Sequence, residues 1–143
     1  SVAALKKIAA NLGIPVAHLM DGPSHPAKGS GVGSVVRSGM RKAIVYPGSD
    51  IRFELLSPDL NRKIEFLWLT VPVGSKSGDD GYAHEGEECF VVVKGRLELW
   101  LGEERHVLDR GDSVYFDSSV PHRWCNIGEE EVEAVWVITP PTF

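Results

Sequence analysis

From about residue 42 to the end of the chain, apolar and polar positions alternate in short runs, and most of the breaks between runs carry glycine, proline, aspartate or asparagine. A period of two over four to nine residues marks strands with one buried face. The pattern predicts strands over 42–46, 51–56, 63–71, 88–93, 96–101, 104–108, 113–116, 122–127 and 132–139. Glu88 opens the run CFVVV, which stops at Lys94 and Gly95 before RLELWL begins, so these two strands read as a hairpin about a glycine turn. The first twenty residues follow a different period. Val2, Leu5, Ile8, Ala9 and Leu12 recur at helical spacing up to Gly13, with Ser1 placed as an N-cap, and a second short helix is expected after Pro15 with Val16, Leu19 and Met20 inward. Between Asp21 and Gly39 the density of glycine and proline is that of a linker. The expected organisation is therefore a helical segment over 1–21, a linker over 22–39 and an all-β domain over 40–143. The GSGVGS stretch at 29–34 belongs to that linker, since no strand precedes it and no G-K-[ST] follows.

Strand parity then sorts the candidate chemistry. Glu88, Phe90 and Val92 share one face, as do His122, Trp124 and Asn126, while Cys89, Arg123 and Cys125 point away. His84 lies four residues before Glu88. Two imidazoles and a carboxylate form a ligand set that Fe(II), Mn(II), Ni(II) or Zn(II) uses when coordination positions stay open, so His84, Glu88 and His122 are the candidate metal ligands. Neighbouring strands are expected to bring Glu88 and His122 together. Phe90, Trp124 and Asn126, with Tyr82 beside them, are the candidate ligand-contacting residues, Asn126 also being placed to brace its loop. Of the other tryptophans, Trp68, Trp100 and Trp136 are assigned to core or subunit-interface packing. His18, His25 and His106 have no partners at ligand spacing and receive no role.

Composition narrows the class. With 143 residues the chain is long enough for one core without staples, and its two cysteines, Cys89 and Cys125, do not suggest a disulfide framework. A reducing cytoplasm is the expected compartment. No apolar stretch approaches the roughly 18 residues of a membrane span. The net charge of −5 conceals an asymmetry: Asp21 is the sole acid among residues 1–42, which carry six Lys and Arg, whereas the rest is strongly acidic. An acidic barrel repels a phosphate backbone, and a basic N-terminal segment is tolerated beside one.

The segments YAHEGEECFVVVKG (82–95) and GDSVYFDSSVPHRWCN (111–126) together resemble the two motifs of the cupins, small double-stranded β-helix or jelly-roll barrels. His84, Glu88 and Gly95 stand at the second His, the Glu and the closing Gly of the first motif, and Tyr82 occupies the place of its first His. Gly111, His122 and Asn126 fit the second motif, in which Asp117 and Ser119 replace the usual Pro and Gly. The stretch SVAALKKIAANLGIPVAHLM (1–20) in turn resembles the last two helices of the lambda-repressor-like helix-turn-helix domain. Ser1, Leu5, Ile8, Ala9, Leu12, Gly13 and Pro15 carry that match. Joined to a cupin, it resembles regulators of the Xre type with a C-terminal cupin sensor.

That resemblance implies contact with DNA through helices preceding residue 1 and a small-molecule effector in the barrel. Amino acids, polyamines and sulfur compounds are among the effectors it implies. A homodimer is expected because exposed sheet edges and apolar strands such as FLWLTV (66–71) need cover, and no membrane partner is expected. The competing class is a metal-dependent cupin enzyme, a dioxygenase or isomerase using the same three ligands. The helical segment favours the regulator, since an enzyme has no need of it, and no general base beyond the ligands is evident. The expectation is a sensor without catalytic residues.

Overall fold

A computed structural model describes residues 4, 7–9, 33–46 and 48–142. Residues 4 and 7–9 are helical; the remainder of the expected helical segment, and the linker up to residue 32, lie outside the described residues. The linker's described end is irregular until a 3-10 turn at Ser38–Met40. Among the described residues nine strands follow: β1 (Ala43–Val45), β2 (Arg52–Leu55), β3 (Glu65–Val71), β4 (Glu87–Lys94), β5 (Leu97–Leu101), β6 (Glu104–Leu108), β7 (Ser113–Asp117), β8 (His122–Asn126) and β9 (Val132–Thr139). Each falls on an expected strand to within two residues at either end. Among the described residues no helix is long and apolar enough to cross a membrane.

The strands form two antiparallel sheets, one of six strands in the order β1-β2-β3-β9-β4-β7 and one of three in the order β6-β5-β8. Alternation decides what lies inside. Along β3 and β9 every second residue is buried, placing Leu67, Leu69 and Val71 and then Val132, Ala134, Trp136 and Ile138 inward. The small sheet contributes Leu97, Leu99 and Trp124. At about 1.5–3 kcal/mol for each large apolar side chain removed from water, this shared interior is the main term holding the barrel closed.

One expectation fails in an informative way. β4 and β5 do not make a hairpin: β4 pairs with β9 and β7, whereas β5 pairs with β6 and β8. The register of β4 against β9 shifts between Val92 and Lys94, and Gly95 then takes φ +81°, so the chain leaves one sheet and enters the other. A side chain could not make that crossing. A Cβ on Gly95 would lie 2.9 Å from the Glu131 carbonyl oxygen and 2.9 Å from Val132. Local periodicity located both strands correctly; the exit from the sheet came from contacts of Gly95 with a segment far along the chain.

Candidate metal centre

Glu88 enters the barrel from β4 and His122 from β8, so the carboxylate and the imidazole meet from different sheets rather than from neighbouring strands. His84 lies just before β4. Its backbone N–H donates to the Ser118 carbonyl (2.9 Å), which fixes the approach of the loop to the strand. Among the described residues, His84, Glu88 and His122 are the one group of three or more His, Cys, Asp and Glu able to converge on an ion, with ligand atoms all within 4.8 Å of one another. Glu88 Oε1 is 2.5 Å from His84 Nε2 and 3.1 Å from His122 Nε2. The Glu88 and His122 side chains are buried, and that of His84 retains 17% exposure, so access to the centre is from the His84 side.

The outer hydrogen bonds decide what these atoms can do. His122 Nδ1 lies 2.8 Å from the Val120 carbonyl oxygen and His84 Nδ1 lies 3.1 Å from that of Glu85. A carbonyl can only accept, so each Nδ1 carries the hydrogen, and in a neutral ring Nε2 presents a lone pair. Both lone pairs face a carboxylate oxygen. His84 Nε2, Glu88 Oε1 and His122 Nε2 are all buried without hydrogen-bond geometry to any partner. The other carboxylate oxygen is held: Trp136 Nε1–H donates to Glu88 Oε2 at 2.7 Å. Three electron-rich atoms at one point call for a shared proton or a cation, and the donor set of two imidazoles and one carboxylate fits a divalent transition metal. Burial alone would raise the Glu88 pKa; when the two imidazoles carry the extra proton, their hydrogen bonds and charge, His122 before His84, outweigh it and hold the carboxyl well below the usual range.

Around the three ligands the walls are aromatic. Tyr82 joins β8 through paired backbone hydrogen bonds with His122 (3.0 and 2.9 Å), and its ring centroid is 4.3 Å from that imidazole. Its phenol is pushed well above its ordinary pKa by burial first and by the Glu88 charge second, while the Trp124 indole N–H donates to the hydroxyl. It stands there as a neutral phenol. Phe90 stacks on Trp136 at 4.0 Å, and Trp136 lies 5.9 Å from Trp124.

Asn126 is not brought to this place. Four residues along β8 from His122, or about 13 Å, its Nδ2 donates to the carbonyls of Val71 (2.9 Å) and Glu130 (2.8 Å), and its Oδ1 accepts from Gly128 N–H (2.9 Å). The amide is fully used in bracing the loop before β9. Trp68 and Trp100 lie on outer faces, each under an arginine, Arg41 at 4.8 Å and Arg123 at 4.6 Å. His18 and His25 fall outside the described residues, and His106 lies 3.5 Å from Glu104 on the small sheet.

Sequence reasoning left three inner-face residues unassigned to the site. Its sequence context places Trp136 in packing, yet its indole fixes the carboxylate. Phe116 lies 5.0 Å from the His122 ring. Glu65 is buried inside the barrel on β3, in register with Ile138, which is itself in register with Glu88. The alternation of Glu65 with Leu67, Leu69 and Val71 was the available signal. Burial first and the Glu65 carboxylate second push the Tyr46 phenol up as well, so a polar cluster continues inward from the three ligands.

Comparison with known proteins agrees with this architecture. A family model for the cupin domain matches residues 67–138, half of the chain. The uncharacterized protein MJ1618 of Methanocaldococcus jannaschii is 31% identical over 100 residues, covering 68% of this chain and 78% of that protein. The HTH-type transcriptional regulator PuuR of Escherichia coli is 26% identical over 83 residues, covering 58% of this chain and 44% of its own length, so the chain spans less than half of that regulator. Among solved structures, the cupin domain of an XRE family transcriptional regulator from Enterobacter cloacae superposes with a TM-score of 0.57 at 25% identity, covering 65% of this chain and 99% of that one. A predicted oxalate decarboxylase from Thermotoga maritima superposes with a TM-score of 0.63 at 25% identity, covering 75% and 99%. The chain belongs to the cupin family, and its relatives include helix-turn-helix transcription regulators.

Proposed function

We propose that this barrel is the small-molecule-sensing domain of a cytoplasmic, homodimeric transcription regulator, with His84, Glu88 and His122 holding a divalent metal such as Zn, Ni, Fe or Mn. In this reading residues 1–21 end a helix-turn-helix domain, 22–39 form a linker and 40–143 are the sensor. The observation that carries the metal is the meeting of three unsatisfied ligand atoms at one buried point. What favours a regulator over an enzyme is the helix-turn-helix signature ahead of the barrel, together with the similarity to PuuR.

When bound, the metal supplies a Lewis-acidic anchor with open positions for an effector's oxygen or nitrogen. The chain's own residues do the rest. Trp136 orients the carboxylate, Val120 and Glu85 orient the imidazoles, and Tyr82, Phe90 and Trp124 give an effector an aromatic wall with one hydroxyl. An effector that prefers one arrangement of the dimer shifts the DNA-reading helices by the difference in its two affinities, typically about 1–3 kcal/mol. The test is an operator titration of the longer protein, carrying a complete helix-turn-helix domain, with and without a compound that protects the barrel from thermal unfolding. A changed operator affinity supports the sensor. Unchanged affinity with catalytic consumption of the compound supports the second reading, a metal-dependent dioxygenase or isomerase, which the likeness to the predicted oxalate decarboxylase keeps in view.

A further inference from the structure

After β9 the chain turns across the end of the barrel. Thr139, the last residue of β9, is in register with Glu87 on β4, and its hydroxyl donates to the Lys63 carbonyl ahead of β3 (3.1 Å). Pro140 and Pro141 then offer no N–H, so sheet pairing stops there. The next N–H, that of Thr142, donates to Glu65 Oε1. Glu65 is buried on the inner face of β3 and shares a register row with Ile138 and Glu88, so residues 140–142 cross the barrel end at which the three ligands meet.

On its other side the segment rests on the loop that carries His84. A Cβ on Gly86 (φ +111°) would lie 2.6 Å from Pro140 Cδ and closer still to the Thr139 carbonyl oxygen, so glycine is what lets the two backbones approach. The Gly86 carbonyl accepts from Ser118 N–H (2.8 Å), and the Ser118 carbonyl accepts from His84 N–H (2.9 Å), which ties this contact to the open side of the metal centre. Residues 140–142 are thus packed but lightly tied. Among the described residues the bond from Thr142 to Glu65 is the one hydrogen bond they make, and Thr142 Oγ1 is buried without a hydrogen-bond partner.

We propose that residues 140–142 are a strap over the entrance to the metal centre, with Glu65 as its latch, and that release of the Thr142 N–H from Glu65 opens the way past His84. The inference rests on the metal-binding reading above and adds the control of access to that centre. A strap held by one hydrogen bond opens on its own more often than the sheet beneath it unfolds. The Glu65 charge also reaches Tyr82, whose ring packs on His122, so the latch and the ligands share one interior.

Hydrogen exchange of the wild-type chain reads the opening directly. The Thr142 amide is expected to be protected, yet to exchange about tenfold or more faster than the Val135 and Trp136 amides of β9. No protection, or exchange no faster than in β9, would overturn the strap. Access is read by diethyl pyrocarbonate modification of His84 in the metal-free chain, mapped by mass spectrometry. Thr142→Pro deletes the donor of the latch and is expected to speed that modification about tenfold, whereas Thr142→Ala keeps the N–H and the wild-type rate. The same two variants of the zinc-loaded chain are expected to differ in the rate at which ethylenediaminetetraacetate strips Zn(II), with equilibrium affinity near that of the wild type. A folded Thr142→Pro chain that matches the wild type in both rates would overturn the strap while leaving metal binding standing. If the wild type holds no zinc, faster His84 modification in Thr142→Pro still supports the strap and removes only the metal. The exchange measurement needs no variant, so it decides the matter even where Thr142→Pro does not fold.

Discussion

Glu88 on β4 and His122 on β8 stand 3.1 Å apart across the interior, Oε1 to Nε2, although their strands share no hydrogen bond and belong to different sheets. Each is held from behind, Glu88 by the Trp136 indole and His122 by the Val120 carbonyl. The meeting point is thus preorganised by the two-sheet closure, and changes to those outer partners should be felt at the ligands.

Trp136→Phe tests this directly. The ring can still stack on Phe90, but Glu88 Oε2 loses its donor, which should weaken metal binding by about 10–100-fold and cost the metal-free protein roughly 1–3 kcal/mol. Metal titration and thermal unfolding of the variant check both effects. Wild-type affinity in a folded Trp136→Phe protein would show that the indole is packing alone.

Asn126→Ala should behave in the opposite manner. It strips partners from the carbonyls of Val71 and Glu130 and from Gly128 N–H, so a stability loss on the order of 2–4 kcal/mol is expected. Metal affinity should stay within a fewfold of wild type. Denaturant unfolding and metal titration of the same sample separate these outcomes, and a selective loss of metal would return Asn126 to the site.

Gly95→Ala probes the crossing between sheets. With φ at +81° and no room for a Cβ against Glu131 and Val132, the variant should lose about 2–3 kcal/mol or more. Urea unfolding measures it. A neutral result would mean that the β4–β5 connection tolerates another path.

Metal removal should lower stability. If the ion binds only the folded chain, chelation removes RT ln(1 + [L]/Kd), about 2.7 kcal/mol at a hundredfold excess over Kd. Thermal unfolding with and without a chelator checks this, and an unshifted transition in metal-replete protein would argue that the three ligands close on a proton instead.

Much of this was legible in the sequence because strand parity is local. Alternation alone placed Glu88, Phe90, His122 and Trp124 inward and Cys89 and Cys125 outward, and the structure agrees. Pairing was less legible. Nothing within CFVVVKGRLELWL says that its halves belong to different sheets, since that follows from contacts with β9 and the segment before it. The same limit hid Trp136, whose role depends on an oxygen 48 positions away in the chain. Tyr82 illustrates a third case. Its position before His84 marked it as part of the centre, while its burial as a neutral phenol bonded to Trp124 depends on the closed barrel.

The most direct test of the metal centre is the metal content of the wild-type chain, Glu88→Ala and Glu85→Ala, each equilibrated with divalent metal, desalted and analysed by plasma mass spectrometry. Glu88 is the only carboxylate among the three ligands, whereas Glu85 is exposed and outside them. About one metal ion per chain is expected in the wild type and in Glu85→Ala, and almost none in Glu88→Ala. Equal metal in the wild type and Glu88→Ala, or none in any of the three, would contradict it.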